Sequence, residues 1–131
     1  MTRLYVPGVP RPQGSKRHVG RGIMVESSKH LPAWRKAVAV AARTAHDGTP
    51  YDGPVAITAE FIMPRPKSWG KKRQDPMIQR PDLDKLIRAV MDGISGIVIR
   101  DDAQAVRMVL DKRRAAPGEG PGVVVVVDPA N

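Results

Sequence analysis

Five of the 13 acidic residues of this 131-residue chain lie between residues 82 and 102. They form two close pairs, Asp82 with Asp84 and Asp101 with Asp102, and Asp92 lies between the pairs. Carboxylates that meet in one place repel one another unless a cation neutralises them, and oxygen ligands of this kind favour Mg²⁺ or Mn²⁺ over zinc. Two such ions about 3.5–4 Å apart promote phosphodiester cleavage. The pattern therefore indicates metal-dependent phosphodiester chemistry, with a structural Ca²⁺ site as an alternative.

The chain around each pair decides whether the carboxylates can converge. Pro81 favours an extended backbone just before Asp82, and residues two apart in an extended segment share a face, so Asp82 and Asp84 are expected to point the same way. The second pair precedes a strand that we expect to return it to the first. An alternative stays open, because a helix begins at the first pair and either aspartate there is also a suitable N-terminal cap.

Composition limits the partner and the compartment. The chain has 22 Lys and Arg residues and a formal net charge of +9, and so basic a surface attracts polyanions, of which nucleic acid is the expected one. Cysteine is absent, which excludes disulfides, a thiolate zinc site and a thiol nucleophile. His18, His30 and His46 lack ligand spacing and are expected at the surface. The sequence shows neither a signal peptide nor a membrane span, so the expected location is the cytoplasm.

The apolar pattern predicts four strands and two helices. The strands are expected at about 3–6, 55–63, 104–114 and 123–127, and the helices at about 32–46 and 84–92. Trp34 lies on the apolar stripe of the first helix and is expected in the core, and the valine run 123–127 is typical of a buried strand. We expect one α+β domain spanning residues 1–131, with a mostly antiparallel sheet covered by two helices.

Two loops carry clusters of positive charge. One follows the first strand, and the other is a long, proline-interrupted loop between residues 64 and 81, of a length that is usually functional or disordered. The candidates for gripping DNA phosphates are Arg11, Lys16, Arg17 and Arg21 in the first loops, and Lys71, Lys72 and Arg73 in the second. Trp69, beside the second cluster, is a candidate for stacking on an unpaired base, with packing against the protein as the equal alternative.

Three motifs together resemble the signature of RusA-type crossover junction endodeoxyribonucleases. They are Pro81-Asp82-Leu83-Asp84-Lys85-Leu86, then Asp92-Gly93, then Asp101-Asp102-Ala103-Gln104. With the strand that ends near Lys112, they cover about the C-terminal half of the chain in the order of the family. The segment Pro10-Arg11-Pro12-Gln13-Gly14-Ser15-Lys16-Arg17 also resembles the proline-rich, basic opening of many members. The resemblance implies a RusA-like fold and a Holliday junction resolvase.

The resemblance also implies roles for individual acids. Asp82, Asp84 and Asp102 are the implied catalytic residues and Mg²⁺ ligands, with Asp101 as an auxiliary ligand. Mn²⁺ is expected to substitute for Mg²⁺, and no small-molecule cofactor is expected.

One residue departs from the family pattern. Many members have a catalytic lysine four residues after the second aspartate, whereas this chain has Arg88, which cannot donate a proton near neutral pH. We expect Arg88 to hold a phosphate or to stabilise the transition-state charge, with Lys85 as the alternative. Asp92 lies one helical turn after Arg88 and is interpreted as its ion-pair partner.

The implied substrate suggests an assembly. A four-way junction has near two-fold symmetry and needs two nicks, and a C₂ homodimer supplies two sites with that relation. Lys85 and Lys112 join the expected DNA contacts. Two rival hypotheses stay open: a non-catalytic DNA-binding module whose aspartates cap the second helix, and a metal-dependent nuclease that acts on RNA or on simple duplexes.

Overall fold

The computed structural model describes residues 1–14, 17–18, 24–25 and 29–130, the two short middle segments by their backbone alone. In chain order the elements are β1 Thr2–Pro7, β2 Arg17–His18, β3 Met24–Val25, α1 Leu31–Ala45, β4 Val55–Met63, α2 Leu83–Ile94, a 3₁₀ turn Asp102–Gln104, β5 Ala105–Arg114 and β6 Gly122–Pro129. The four predicted strands and both predicted helices are present. The two-residue strands β2 and β3 pair in antiparallel orientation, in a segment that was predicted to be a loop.

The main sheet has the strand order β1-β6-β4-β5. The valine run forms β6, whose Val123, Val125 and Val127 are fully buried because alternate side chains of a strand point to one face. Strand β6 is antiparallel to both β1 and β4, so the prediction of a mostly antiparallel sheet covered by two helices, a small α+β domain, is confirmed.

Strands β4 and β5 are parallel, which the sequence analysis did not predict. Two parallel neighbours need a crossover connection, and here the crossover contains the 64–81 loop and α2. In such a unit the helix runs back across the sheet, so its N-terminus lies at the end where the strands finish. Because Asp82 precedes α2 and Asp102 precedes β5, this topology separates the two aspartate pairs.

The helices pack on each other over one face of the sheet. Gly93 permits their close approach, since a Cβ at this position would lie only 2.6 Å from Val38 Cγ1 and 3.3 Å from the Arg35 carbonyl oxygen. Trp34 is 5% exposed, which confirms its predicted place in the core. The core is one cluster of apolar side chains from β1, β4, β6 and the two helices, and it holds both ends of α2 in fixed positions relative to the sheet.

Candidate active site at the two ends of helix α2

Two exposed carboxylates lie at the N-terminal end of α2. Asp82 occupies the N-cap position with an extended backbone, but its side chain makes no capping hydrogen bond. Its Oδ2 lies 3.6 Å from Lys85 Nζ, a surface pair worth at most about 1 kcal/mol. Asp84 lies in the first helical turn, where the helix dipole favours negative charge. The cap alternative therefore does not explain the Asp82 side chain, and both carboxylates are accessible to a ligand.

The backbone around these carboxylates is held from two sides. Lys112 on β5 donates from Nζ to the carbonyl oxygens of Gln79 (2.7 Å) and Pro81 (2.9 Å), which fixes the segment that leads into Asp82. From the other side, the Gln13 amide donates to the Lys85 carbonyl oxygen at 2.9 Å. The ammonium of Lys112 therefore positions the Asp82 segment, and its predicted contact with DNA stays a prediction.

The second aspartate pair divides its roles. Asp101 is the N-cap of the 3₁₀ turn, and its Oδ1 accepts from the Ala103 amide at 3.1 Å. Asp102 is exposed, and its Oδ1 accepts from Ser95 Oγ at 2.9 Å. The same hydroxyl also lies 2.7 Å from the Met91 carbonyl oxygen, and since it has a single proton, it shares that proton between the two acceptors. Asp101 is accordingly a turn cap in this structure, and Asp102 is an exposed acid bonded to the residue that ends α2.

Gln104 braces this turn with its entire side-chain amide. Its Oε1 accepts from the amides of Arg100 (2.6 Å) and Asp101 (2.9 Å). Its Nε2 donates to the carbonyl oxygens of Tyr51 (2.7 Å) and Gly53 (2.9 Å). All four bonds join Gln104 to backbone, so the side chain ties the Asp101–Asp102 turn to the chain that enters β4.

The two aspartate pairs do not converge within one chain, which corrects the prediction that a strand returns Asp102 to the start of the helix. Asp82 is the N-cap of α2, Asp102 is hydrogen-bonded to its C-cap residue Ser95, and a helix of 12 residues is about 18 Å long at about 1.5 Å per residue. Within the described ranges, no group of three or more Asp, Glu or His side chains is placed to hold a metal ion. The physical reason is the parallel crossover, which places the starts of α2 and β5 at opposite ends of the sheet.

Arg88 and Asp92 are both exposed on α2, but they do not form the predicted pair. Asp92 Oδ2 instead lies 3.8 Å from Arg35 Nη1 on α1. Arg35 also donates to Gln13 Oε1 at 3.2 Å. Because α1 packs beside α2, Asp92 has its ion-pair partner on the other helix. Arg88 is exposed to solvent one turn after Asp84.

The long loop is folded around an arginine that the sequence analysis did not single out. Arg65 donates to the carbonyl oxygens of Gly70, Arg73 and Ala115. Its guanidinium carbon lies 5.3 Å from the centre of the Trp69 ring, and that of Arg73 lies 4.9 Å away. The Trp69 ring therefore has two cationic neighbours of the protein's own, and its predicted stacking on a DNA base stays a prediction.

The other residues that were predicted to contact DNA differ in exposure and in their partners. Lys71 and Lys72 are exposed in the long loop, Arg73 is paired with Asp75 at 2.8 Å, and Arg11 is half-buried three residues before Gly14. Lys16, Arg21 and the side chain of Arg17 lie outside the described residues.

The sequence analysis missed several residues of this region. Gln104 was quoted only as part of a motif, and nothing in the sequence marked Ser95. The cations Arg35, Lys36 and Arg43 on α1 were not considered, although helical spacing places Arg35 and Arg43 along the polar side of that helix. Reading the polar side of α1 as closely as its apolar stripe would have identified them.

Comparison with known proteins identifies the class. The family described as Endodeoxyribonuclease RusA matches residues 7–128, and the chain therefore belongs to the RusA endodeoxyribonuclease family. It is a divalent-metal-dependent nuclease of the class that resolves Holliday junctions and acts on branched DNA. The chain is also similar to YqaN of Bacillus subtilis (strain 168), named as an uncharacterized protein, with 28% identity over 111 residues that cover 78% of this chain and 77% of YqaN. Across the described part of the chain, no helix has the length and apolar character needed to span a membrane.

Proposed function

We propose that this protein is a Mg²⁺-dependent, cytoplasmic homodimer that resolves four-way junctions by paired, symmetric nicks, and that each of its two metal sites is built from both chains. The observation that carries this proposal is the position of Asp82 and Asp84 at one end of α2 and of Asp102 at the other. A two-fold axis that sets two copies of α2 antiparallel places the start of one helix beside the end of the other.

The outer edge of β5 supports this arrangement. Strand β5 is ten residues long, and no other strand in the described ranges pairs with its outer edge. Val106, Met108 and Val109 are 65%, 40% and 45% exposed. A long apolar edge strand is a template for pairing with another chain. A second copy of β5 paired antiparallel here joins two sheets into one.

Charge along β5 fits pairing with its own copy. In an antiparallel pair centred on Val109, each Arg107 lies opposite the partner's Asp111, so the same favourable cross-strand pair forms twice. This register places the partner's Val106 opposite Lys112 and carries the partner's Asp101–Asp102 turn past the end of β5 that follows Lys112. Lys112 holds Pro81 and thereby Asp82 at this same end, so the partner's Asp102 approaches Asp82 and Asp84 from across the strand pair.

The donor set of this two-chain site fits a hard divalent cation, because it consists of carboxylates whose oxygens are exposed. When bound, Mg²⁺ supplies Lewis-acid stabilisation of the charge that develops on phosphate oxygens. Arg88 lies one turn from Asp84 and is positioned to contact the same phosphate, as a permanent cation rather than as a proton donor. The braces from Lys112 and Gln104 fix the backbone on both sides of the site.

Mixing two inactive variants tests the proposal. Asp82→Asn and Asp102→Asn each remove one proposed ligand from every site, so each homodimer is expected to lose nicking by about 10²- to 10³-fold. A mixed dimer of the two variants has one site with both changes and one intact site. After subunit exchange, about half of the dimers are mixed, and nicking returns to about one quarter of the original level.

A supercoiled plasmid that extrudes a cruciform separates the outcomes. The unmodified protein is expected to linearise it by paired nicks, whereas the mixed dimer produces open circles by single nicks. A mixture of Asp82→Asn with Asp84→Asn is the matched control, since both changes fall in the same half-site and no intact site forms. If the first mixture stays inactive although differently tagged chains co-purify, the two-chain site is wrong. Equal cleavage of a junction, a linear duplex and an RNA hairpin would argue against junction resolution.

A further inference from the structure

A groove of about 620 Å³ lies between α1 and the C-terminal end of α2. Its α1 wall carries Arg35, Lys36 and Arg43, and its α2 wall includes Asp92 and Ser95. Arg35 and Arg43 are eight residues apart and so lie about two turns along one side of α1, with Ala39 between them. The small side chain of Ala39 leaves the groove open between the two guanidinium groups.

The groove has an excess of positive charge. Its only acidic lining residue in the described chain is Asp92, which lies 3.8 Å from Arg35. Lys36 and Arg43 are exposed, and neither forms an ion pair with any part of the chain that the structure describes. Two uncompensated cations beside a neutralised pair attract an anion into this groove.

The position of the groove connects it to the active site. Ser95 lines the groove and donates to Asp102, so an anion in the groove lies next to the C-terminal half-site. Lys36 and Arg43 are seven residues apart, about 10.5 Å along the helix at about 1.5 Å per residue. A DNA strand advances about 3.4 Å per phosphate along its axis, so these two cations are spaced for more than one phosphate of the strand.

We propose that this groove binds the phosphate backbone of the DNA strand that flanks the cleavage site. The placement of the strand beside Asp102 rests on the function proposed above, whereas the binding of DNA phosphates in the groove does not. The groove guides one arm of the junction along α1, and Lys36 and Arg43 make the sequence-independent contacts.

Charge reversal on α1 tests this proposal through the salt dependence of binding. The logarithm of the binding constant falls linearly with the logarithm of the salt concentration, and each lost phosphate contact makes this slope less steep by about 0.9. Arg43→Glu is expected to make the slope less steep by about 1, and the double variant Lys36→Glu with Arg43→Glu by about 2. Arg3→Glu is the matched control for Arg43→Glu, because Arg3 is exposed on β1, on the face of the sheet away from the helices, and the two single variants make the same change in net charge. Binding to a four-way junction is measured without metal, so that no cleavage occurs.

The result separates this groove from the proposed function. A slope that becomes less steep in the α1 variants but not in Arg3→Glu supports phosphate binding in the groove. This holds even if the unmodified protein fails to nick junctions. A slope that is unchanged, or that becomes less steep to the same extent in the Arg3→Glu control, overturns phosphate binding in the groove. This holds even if the unmodified protein resolves junctions normally. Both α1 positions are exposed, and thermal melting confirms that the variants fold.

Discussion

The two ends of α2 present acids in different ways. At the N-terminal end, Asp82 and Asp84 are exposed, and the side chain of Asp82 makes only a long contact with Lys85. At the C-terminal end, the turn that carries Asp102 is fixed by the Asp101 side-chain cap and by the four hydrogen bonds of Gln104. At both ends, however, the braces hold backbone: Lys112 binds carbonyl oxygens, and so does Gln104. The protein fixes the positions of its acids while it leaves most carboxylate oxygens open to a ligand.

The largest expected effect is a difference in nicking rate between variants of Asp101 and Asp102, the two acids at the C-terminal end of α2. Asp102→Asn removes the proposed ligand and is expected to lower the rate of nicking by about 10²- to 10³-fold. Asp101→Asn is expected to lower it by only a few-fold, because asparagine is also a good N-cap and still accepts the Ala103 amide. Single-turnover cleavage of a labelled junction at saturating Mg²⁺ measures both rates.

An equal loss in the two variants would show that Asp101 is a ligand as the family resemblance implied. Junction binding without metal is expected to persist in both, since neither acid contacts phosphate favourably. Asp47→Asn, an exposed change after α1, controls for the loss of one negative charge.

A smaller effect is expected when the brace is removed but the ligand is kept. Gln104→Met has a similar length but loses all four hydrogen bonds, so Asp102 is less well positioned for the metal. Groups that orient a metal ligand typically contribute about 10- to 100-fold in metal affinity. The Mg²⁺ concentration for half-maximal nicking is expected to rise by about that factor, and the maximal rate is expected to recover at high Mg²⁺.

Gln79→Met is the matched control, because the Gln79 side chain is exposed and its backbone carbonyl still accepts from Lys112. If Gln104→Met lowers the melting temperature and leaves the Mg²⁺ requirement unchanged, Gln104 stabilises the fold only. The hydrogen bonds of Gln104 would then have no role in positioning Asp102 for the metal.

The smallest effect lies away from both acids, in the turn between β5 and β6. Hydrogen bonds from Arg113 and from the Ala116 amide lower the pKa of Glu119 from 4.5 to about 2. A lowered pKa means that the stabilisation is complete above pH 4.5 and is lost as the pH falls towards 2. The pair is partly exposed and screened by solvent, so Glu119→Gln is expected to lower the free energy of unfolding by about 1 kcal/mol or less.

Urea unfolding at several pH values measures this difference. The variant is expected to be less stable at pH 7, and its difference from the unmodified protein is expected to vanish near pH 2. Nicking at pH 7 is expected to be unchanged. A difference that grows as the pH falls would contradict the assigned ion pair.

The sequence was sufficient for the main elements and for the class of enzyme. Regular spacing of apolar residues predicted the two helices and the four main strands, because that spacing directly reflects which side of each element is buried. The concentration of aspartates in a basic chain drew attention to Asp82, Asp84 and Asp102. The family match then established the class of enzyme.

Tertiary structure alone decided where those acids lie. A local pattern does not specify whether a strand joins its neighbour in parallel or antiparallel orientation, and the parallel pairing of β4 with β5 moved Asp102 to the far end of α2. It also does not specify which groups pack against a helix from elsewhere, so Arg35 rather than Arg88 became the partner of Asp92. Residue types and their periodicity are properties of short segments, whereas proximity across the sheet depends on how the whole chain packs.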